Sequence, residues 1–331
     1  MAGLPSFVVE RNSNAEWRVL VINRHTLAAP VVFAGIGLHS GERVRMVLQP
    51  ASAGAGIIFV RSDVTDRNNR IAALARNVNE VRLGTTISND DGVSVATIEH
   101  LMAALAGLGV DDAVIEVEGS EIPVLDGSSE PFVKLIRQVG LKAHAMPRRA
   151  IQVLRPIMIE DDDRSAGFMP ALKPSIEIEI SFEHAAVGRQ SCAFDIAPDI
   201  FSDDIASART FGFRKDYEAL LAAGLARGGS MENAVVLDDD GIANPEGLRF
   251  KDEFVRHKAL DALGDIALAG APILGCYRAT RPGHAINNAA VRALLDDPSG
   301  WKWVNLRDVE TRALAMARGT ALFRLYPHLR I

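Results

Sequence analysis

The sequence predicts an α+β protein built from two domains of similar construction. Three observations carry this. The chain has 331 residues, enough for two hydrophobic cores. Each half offers a run of strand-like segments with one long helix and a shorter partner, whereas a doubly wound sheet alternates strand and helix throughout. A polar stretch that breaks the pattern, "LKAHAMPRRA" (141–150), separates the halves. The expected division is an N-terminal extension (1–27), domain I (28–145), domain II (146–300) and a C-terminal tail (301–331).

The first ~20 residues read as loosely structured. Residues 31–49 alternate as strands around "GLHSG", a hairpin turn that carries His39. "GIIFVR" (56–61) is a further strand. A helix is expected from near Thr97 to about Leu108, with Thr97 as N-cap and Gly107 and Gly109 as the stop. A strand over 112–118, the turn-rich "GSEIPVLDGSS" and a helix over 131–139 complete the first half. In the second half "IQVLRPIMIE" and "SIEIEISFEH" are strands, the latter with Ile176, Ile178 and Ile180 alternating. A short helix over 215–223 ends in glycines. "FVRHKALDALGDIALAG" (254–270) is an amphipathic helix. A strand, a Pro-Gly turn and a last helix follow in "GAPILGCYRATRPGHAINNAAVRALL".

Composition excludes several function classes. A net charge of −6 argues against nucleic-acid binding, which calls for a basic patch. No apolar run approaches the roughly 20 residues of a membrane span, so stable membrane insertion is not expected. The opening "MAGLPSFVVERNSNAEW" lacks the basic n-region and apolar h-region of a signal peptide. Cys192 and Cys276 form no cluster and are expected to be reduced and buried, as in a cytoplasmic protein.

The chemistry starts with the helix over 254–270. His257, Asp261 and Asp265 recur at four-residue steps and share one stripe. One reading is a solvated polar face, with Lys258 and Asp252 as neighbouring surface charges. The other is a metal-binding edge, His257 and Asp261 converging on one cation and Asp265 serving behind them. In "TIEHL", Glu99 and His100 begin a largely apolar helix, and neighbours ~100° apart can border one pocket. A histidine ligand beside a carboxylate base suits water activation; a dipole-favoured glutamate beside a satisfied histidine is the plainer alternative. His284 follows a Pro-Gly turn and is either a mobile general acid or a helix-capping residue. Taken together, two histidines and an aspartate give three protein ligands and leave a position for water, the catalytic pattern. His25, His144, His184 and His328 have no comparable context.

These residues and their surroundings resemble the zinc-dependent UDP-3-O-acyl-N-acetylglucosamine deacetylases of lipid A biosynthesis. The segments concerned are "GIGLHSGERV", "TIEHLMAALAGLGVDDAVIEVEGSEIPVLDGSSEPFV", "RTFGF", "GLRFKDEFVRHKALDALGDIALAG" and "GHAINNAA", in family order over about 28–296. The resemblance implies a β-α-α-β sandwich of the two α+β domains, with the active site between the helix layers. It implies one Zn2+ per chain, or Fe2+ in the cell, on His100, His257 and Asp261. It makes Glu99 the general base, His284 the acid, Asp265 the partner that orients His284, and Thr210 the oxyanion donor. Lys258 and Phe211 are implied substrate contacts, with His39, Asn288, Gly229 and Ser230 as further candidates. Residues 212–236 resemble the insert that forms the acyl tunnel, to which Tyr217, Ala226 and Met231 contribute. The implied partner is a UDP-linked acylated amino sugar; the oligomeric state is open, with a monomer as the default expectation. One departure stands out: "RLGTT" has Gly84 where some members carry a cysteine. Two rival readings are a non-haem iron enzyme, since two histidines and a carboxylate also suit iron, and a non-catalytic sugar-nucleotide binding protein on the same fold.

Overall fold

Two five-stranded sheets of identical strand order organise the chain. In the computed structural model, which describes residues 7–11 and 17–309, the first sheet runs Val31–Ile36, Arg43–Pro50, Ala113–Glu118, Ile57–Arg61, Arg70–Ala72. The second runs Ile157–Asp161, Arg164–Met169, Cys276–Thr280, Ser175–Ser181, Arg189–Asp195. Numbered within its own sheet, each order is 1-2-5-3-4. In each the last strand is inserted centrally, parallel to the third and antiparallel to the second. The α+β expectation is met, and the two halves share one topology.

Helices occupy equivalent places. α1 (Glu99–Leu108) precedes the last strand of the first sheet and α2 (Glu130–Val139) follows it. The second half adds the short α3 (Pro198–Ile200) and α4 (Arg214–Ala222). α5 (Glu253–Ile266) then precedes the last strand of the second sheet and α6 (His284–Leu295) follows it. α1 is buried along its whole length except Ala106, as expected of a helix with protein on every side. It packs on α5, while α5 and α6 lie on the second sheet and α2 meets the first through the Phe33–Phe132 ring contact. The α1–α5 contact therefore joins the two halves. The approach of the two helices is close: a Cβ at Gly264 would collide with the Glu99 carbonyl oxygen.

Several expectations are corrected. The segment before residue 22 is not wholly loose, because Phe7–Arg11 pairs antiparallel with Trp17–Val21; residues 1–6 and 12–16 lie outside the described residues. The polar 141–150 segment is extended and paired. Leu141–Pro147 lies against Asn23–Leu27, and Arg149–Val153 pairs with Trp301–Asn305, where the tail was expected to begin; the tail from 310 lies outside the described residues. Alternation there is masked because Leu141–Pro147 exposes apolar as well as charged side chains, Leu141 and Met146 among them. Thr97 does not cap α1. It sits at φ +58° and its hydroxyl donates to Glu121 Oε1 (2.9 Å), leaving Ile98 as N-cap without a side-chain bond. Cys276 is buried but Cys192 only partly so, and both are free. The 212–236 segment forms a β-α-β unit: Phe211–Phe213 runs parallel to Val235–Asp238, with α4 between them.

Candidate active site

The polar stripe of α5 faces inward. His257, Asp261 and Asp265 are 1%, 3% and 1% exposed, which rules out the solvated-face reading. His100, in the first turn of α1, is carried to them by the α1–α5 contact. Its ring lies edge-on to His257 with centroids 5.1 Å apart. Both Nε2 atoms point at Asp261 Oδ1, at 3.5 Å from His100 and 3.2 Å from His257. The ligand atoms of the three residues lie within 4.8 Å of one another, the one group of His, Cys, Asp and Glu among the described residues able to hold a metal ion. Two details fit a cation there. Asp261 Oδ1 is buried without a hydrogen-bond partner, which is costly unless a charge compensates it. His257 Nδ1 donates to the Ala208 carbonyl (3.0 Å), which fixes the tautomer and leaves Nε2 as the free lone pair.

Local electrostatics keep the donors in ligand form. Burial pushes the Asp261 carboxyl up, but His257 and Lys258 outweigh it and hold the group well below the usual range. Burial lowers the His257 pKa, favouring the neutral ring. Lys258 Nζ donates to Asp261 Oδ2 (2.8 Å); burial opposes its charge, and Asp261 more than restores it.

Beside the triad, Glu99 and His284 face each other. Glu99 Oε2 accepts from the Thr85 backbone N–H (2.9 Å), leaving Oε1, 3.8 Å from His284 Nε2. Burial raises the Glu99 pKa, against the pull of His284 and His100. His284 opens α6, after Arg281 (φ +50°) and the Pro-Gly turn. Its Nδ1 donates to Asp265 Oδ2 (2.9 Å). Burial lowers the His284 pKa, but Asp265, Glu99 and the Asp265 hydrogen bond overcome it and raise the value to about 10. Asp265 is held in turn by Asn287 Nδ2 (2.8 Å) and Thr85 Oγ1 (2.6 Å), and Tyr277 donates to Asn287 Oδ1 (2.7 Å).

The remaining candidates surround this centre at different depths. The Phe211 ring lies against Phe254 (5.0 Å) and His257 (6.3 Å), with Lys258 Nζ 5.5 Å from its centroid. Thr210 precedes it, its N–H on the Gly127 carbonyl and its own carbonyl receiving Val235. The strand is anchored by Arg209, which is buried and bonds through N and Nε to Glu253 Oε1 in the first turn of α5. His39 lies one shell out: Nε2 bonds the Leu83 carbonyl (3.1 Å), and a Cβ on the adjoining Gly84 would sit 3.2 Å from Glu99 Oε1 and 3.8 Å from His39 Nε2. Gly229 and Ser230 belong to a turn docked on that hairpin, where Gly228 N–H meets the Leu38 carbonyl. Asn288 is buried with Nδ2 unpartnered, whereas its neighbour Asn287, not singled out in the sequence, carries the bond to Asp265. Thr85 and Tyr277 were also missed. Only the quoted "RLGTT" hinted at Thr85, and nothing local marks Tyr277.

The fold and site define a class: a two-half α+β protein with a buried His-His-Asp group able to hold a metal ion and an adjoining Glu99–His284 pair. The chain belongs to the LpxC family, described as UDP-3-O-acyl N-acetylglycosamine deacetylase, whose model matches residues 24–296. It is 50% identical over 279 residues to the UDP-3-O-acyl-N-acetylglucosamine deacetylase of Phenylobacterium zucineum, covering 84% of this chain and 95% of that one. The proteins of the same name from Myxococcus xanthus and Shewanella baltica are 45% identical over 294 residues and 46% over 287. These matches cover 89% and 86% of this chain, and 93% and 94% of the relatives. No helix among the described residues is long and apolar enough to cross a membrane.

Proposed function

We propose that the chain is a zinc-dependent amidase that removes the N-acetyl group of a UDP-linked 3-O-acyl-N-acetylglucosamine, releasing acetate and the free amine. The observation that carries this is the unpartnered Asp261 oxygen between two imidazoles, with Glu99 and His284 facing each other at 3.8 Å beside it. Zn2+ on His100, His257 and Asp261 would supply Lewis-acid charge that acidifies water and steadies developing negative charge on the acyl oxygen.

The chain's own groups divide the remaining work. Glu99 takes the proton of the attacking water on Oε1, the oxygen the Thr85 N–H leaves free. As the C–O bond forms, Thr210 and protonated His284 hold the oxyanion. His284 then gives its Nε2 proton to the nitrogen as the C–N bond breaks. Asp265 keeps Nδ1 protonated and the ring aimed. Phe211 and Lys258 border the sugar, and His39, Asn288, Gly229 and Ser230 are assigned to the outer contacts. Lys258 also lines a cavity of about 300 Å³ with Arg164, Arg281 and Asp163, Arg281 being paired with Asp163; Lys258 and Arg164 are the cations there that suit a nucleotide diphosphate. Residues 212–236 are assigned to the acyl chain, supported by exposed Tyr217, Leu221 and Met231. The two halves are retained as the working division, with the junction placed in the paired stretch from Leu141 to Val153.

Acetate release from the UDP-linked substrate tests the reading, with chelation and with Zn2+ or Fe2+ restored. Release lost on chelation and recovered with zinc is expected. A metal-loaded chain that binds the sugar nucleotide without releasing acetate would make it a binding protein.

A further inference from the structure

We infer that Thr85 is a positioning residue that sets the proposed general base and general acid in one frame. Three bonds fix it. Its backbone N–H donates to Glu99 Oε2 (2.9 Å), its carbonyl accepts from Ile98 N (3.2 Å), and its hydroxyl donates to Asp265 Oδ1 (2.6 Å). The first two fasten it to the start of α1 and the third to α5. The hydroxyl oxygen also lies 3.3 Å from His284 Nδ1, the nitrogen that bonds Asp265 Oδ2. One side chain, 1% exposed, thus touches the carboxylate behind the acid while its main chain holds the base.

The chemistry explains why a hydroxyl is needed. Asp265 is ringed by donors: Thr85 alone holds Oδ1, while Tyr277-supported Asn287 and His284 share Oδ2. Without Thr85 one carboxylate oxygen is free to turn, and the His284 ring turns with it. Glu99 stays in place, because its bond comes from the Thr85 main chain, which a substitution leaves intact. Loss of the hydroxyl should therefore misalign proton delivery and spare both metal and substrate binding.

This inference rests on the amidase reading, and the unmodified chain separates the two. If it releases no acetate, that reading falls and this one with it. Otherwise, Thr85→Val is compared with Thr85→Ser in the zinc-loaded enzyme. The valine substitution should lower kcat about 10–100-fold, the usual cost of losing a partner behind a functional group. KM and zinc content should stay unchanged, and Thr85→Ser should recover most of kcat. In an Asp265→Asn background, Thr85→Val should cost nothing further, because the hydroxyl acts through Asp265. Unchanged kcat in Thr85→Val, loss of zinc, or an equal further loss in the Asp265→Asn background overturns the inference. If the valine chain does not fold, Thr85→Ala is read by the same criteria.

Discussion

Replacing Asp265 by Asn removes the negative charge that raises His284 most. The His284 pKa stands at about 10 against an ordinary 6.5, a net stabilisation of the imidazolium by about 5 kcal/mol. Burial works against that charge, so the carboxylates together supply more than the net value. Asp265 is the nearest, with Oδ2 2.9 Å from Nδ1. At an effective dielectric near 20, a contact of that length is worth about 6 kcal/mol. Its loss leaves Glu99 and Asp261 to balance burial, and the His284 pKa should fall by roughly 3–4 units, to about 6.5. An asparagine amide facing Nδ1 also favours the neutral ring with its proton on Nε2. At pH 8 the protonated fraction then drops about 30-fold, and kcat with it. The charge of a bound divalent ion lowers His284 in both chains, so the difference between them persists. The assay is kcat against pH from 5.5 to 10, with metal content measured in parallel. The basic limb should move to lower pH at full metal occupancy; a limb that does not move refutes the assignment of His284 as an acid held by Asp265. Stability carries the same sign. A raised histidine stabilises the fold fully below pH 6.5 and loses that contribution as pH rises through about 10. The metal-free wild-type chain should therefore exceed Asp265→Asn most at low pH, and the advantage should fade toward pH 10, read by urea midpoints.

Glu99→Gln keeps an acceptor for the Thr85 N–H but no base, so it should retain zinc and lose about 10²–10⁴ in kcat; zinc loss in the purified variant would make Glu99 a ligand instead. His100→Ala, His257→Ala and Asp261→Ala should each purify without stoichiometric zinc, and a one-to-one content by elemental analysis would remove that residue from the centre. Gly264→Ala forces a methyl group against the Glu99 main chain and should cost about 1–3 kcal/mol, seen by calorimetry, together with weaker zinc retention in a chelator competition. Wild-type values of both would show that the two helices have room to spare.

The sequence disclosed the chemistry more fully than the framework behind it. His257 and Asp261 were legible because four-residue spacing is a local property of one helix, and Glu99 and His100 because they are adjacent. Residues 180 apart, such as Thr85 and Asp265, share no local signal, and their bond exists only once α1 and α5 have docked. Thr97 misled for a related reason: its hydroxyl had a better partner in Glu121 than the helix end it precedes. The strands Arg164–Met169 and Arg189–Asp195 also escaped notice. The first has a mixed, glycine-containing sequence, and the second alternates exposed with half-buried positions, giving little hydrophobic contrast. The common 1-2-5-3-4 order could not be read either, since strand order is decided by pairing between distant segments.

The contact at Gly264 acts as a ruler for this family member. Most helix pairs are spaced by side chains, and successive small substitutions can open or close them. Here main chain rests on main chain, so there is nothing to trim between Glu99 and the ligand-bearing helix. Repacking of the continuous core that both sheets share would leave this main-chain contact in place. A change in the His39 hairpin or the 212–236 unit, which lie apart from this contact, would leave the Gly264–Glu99 spacing as it is.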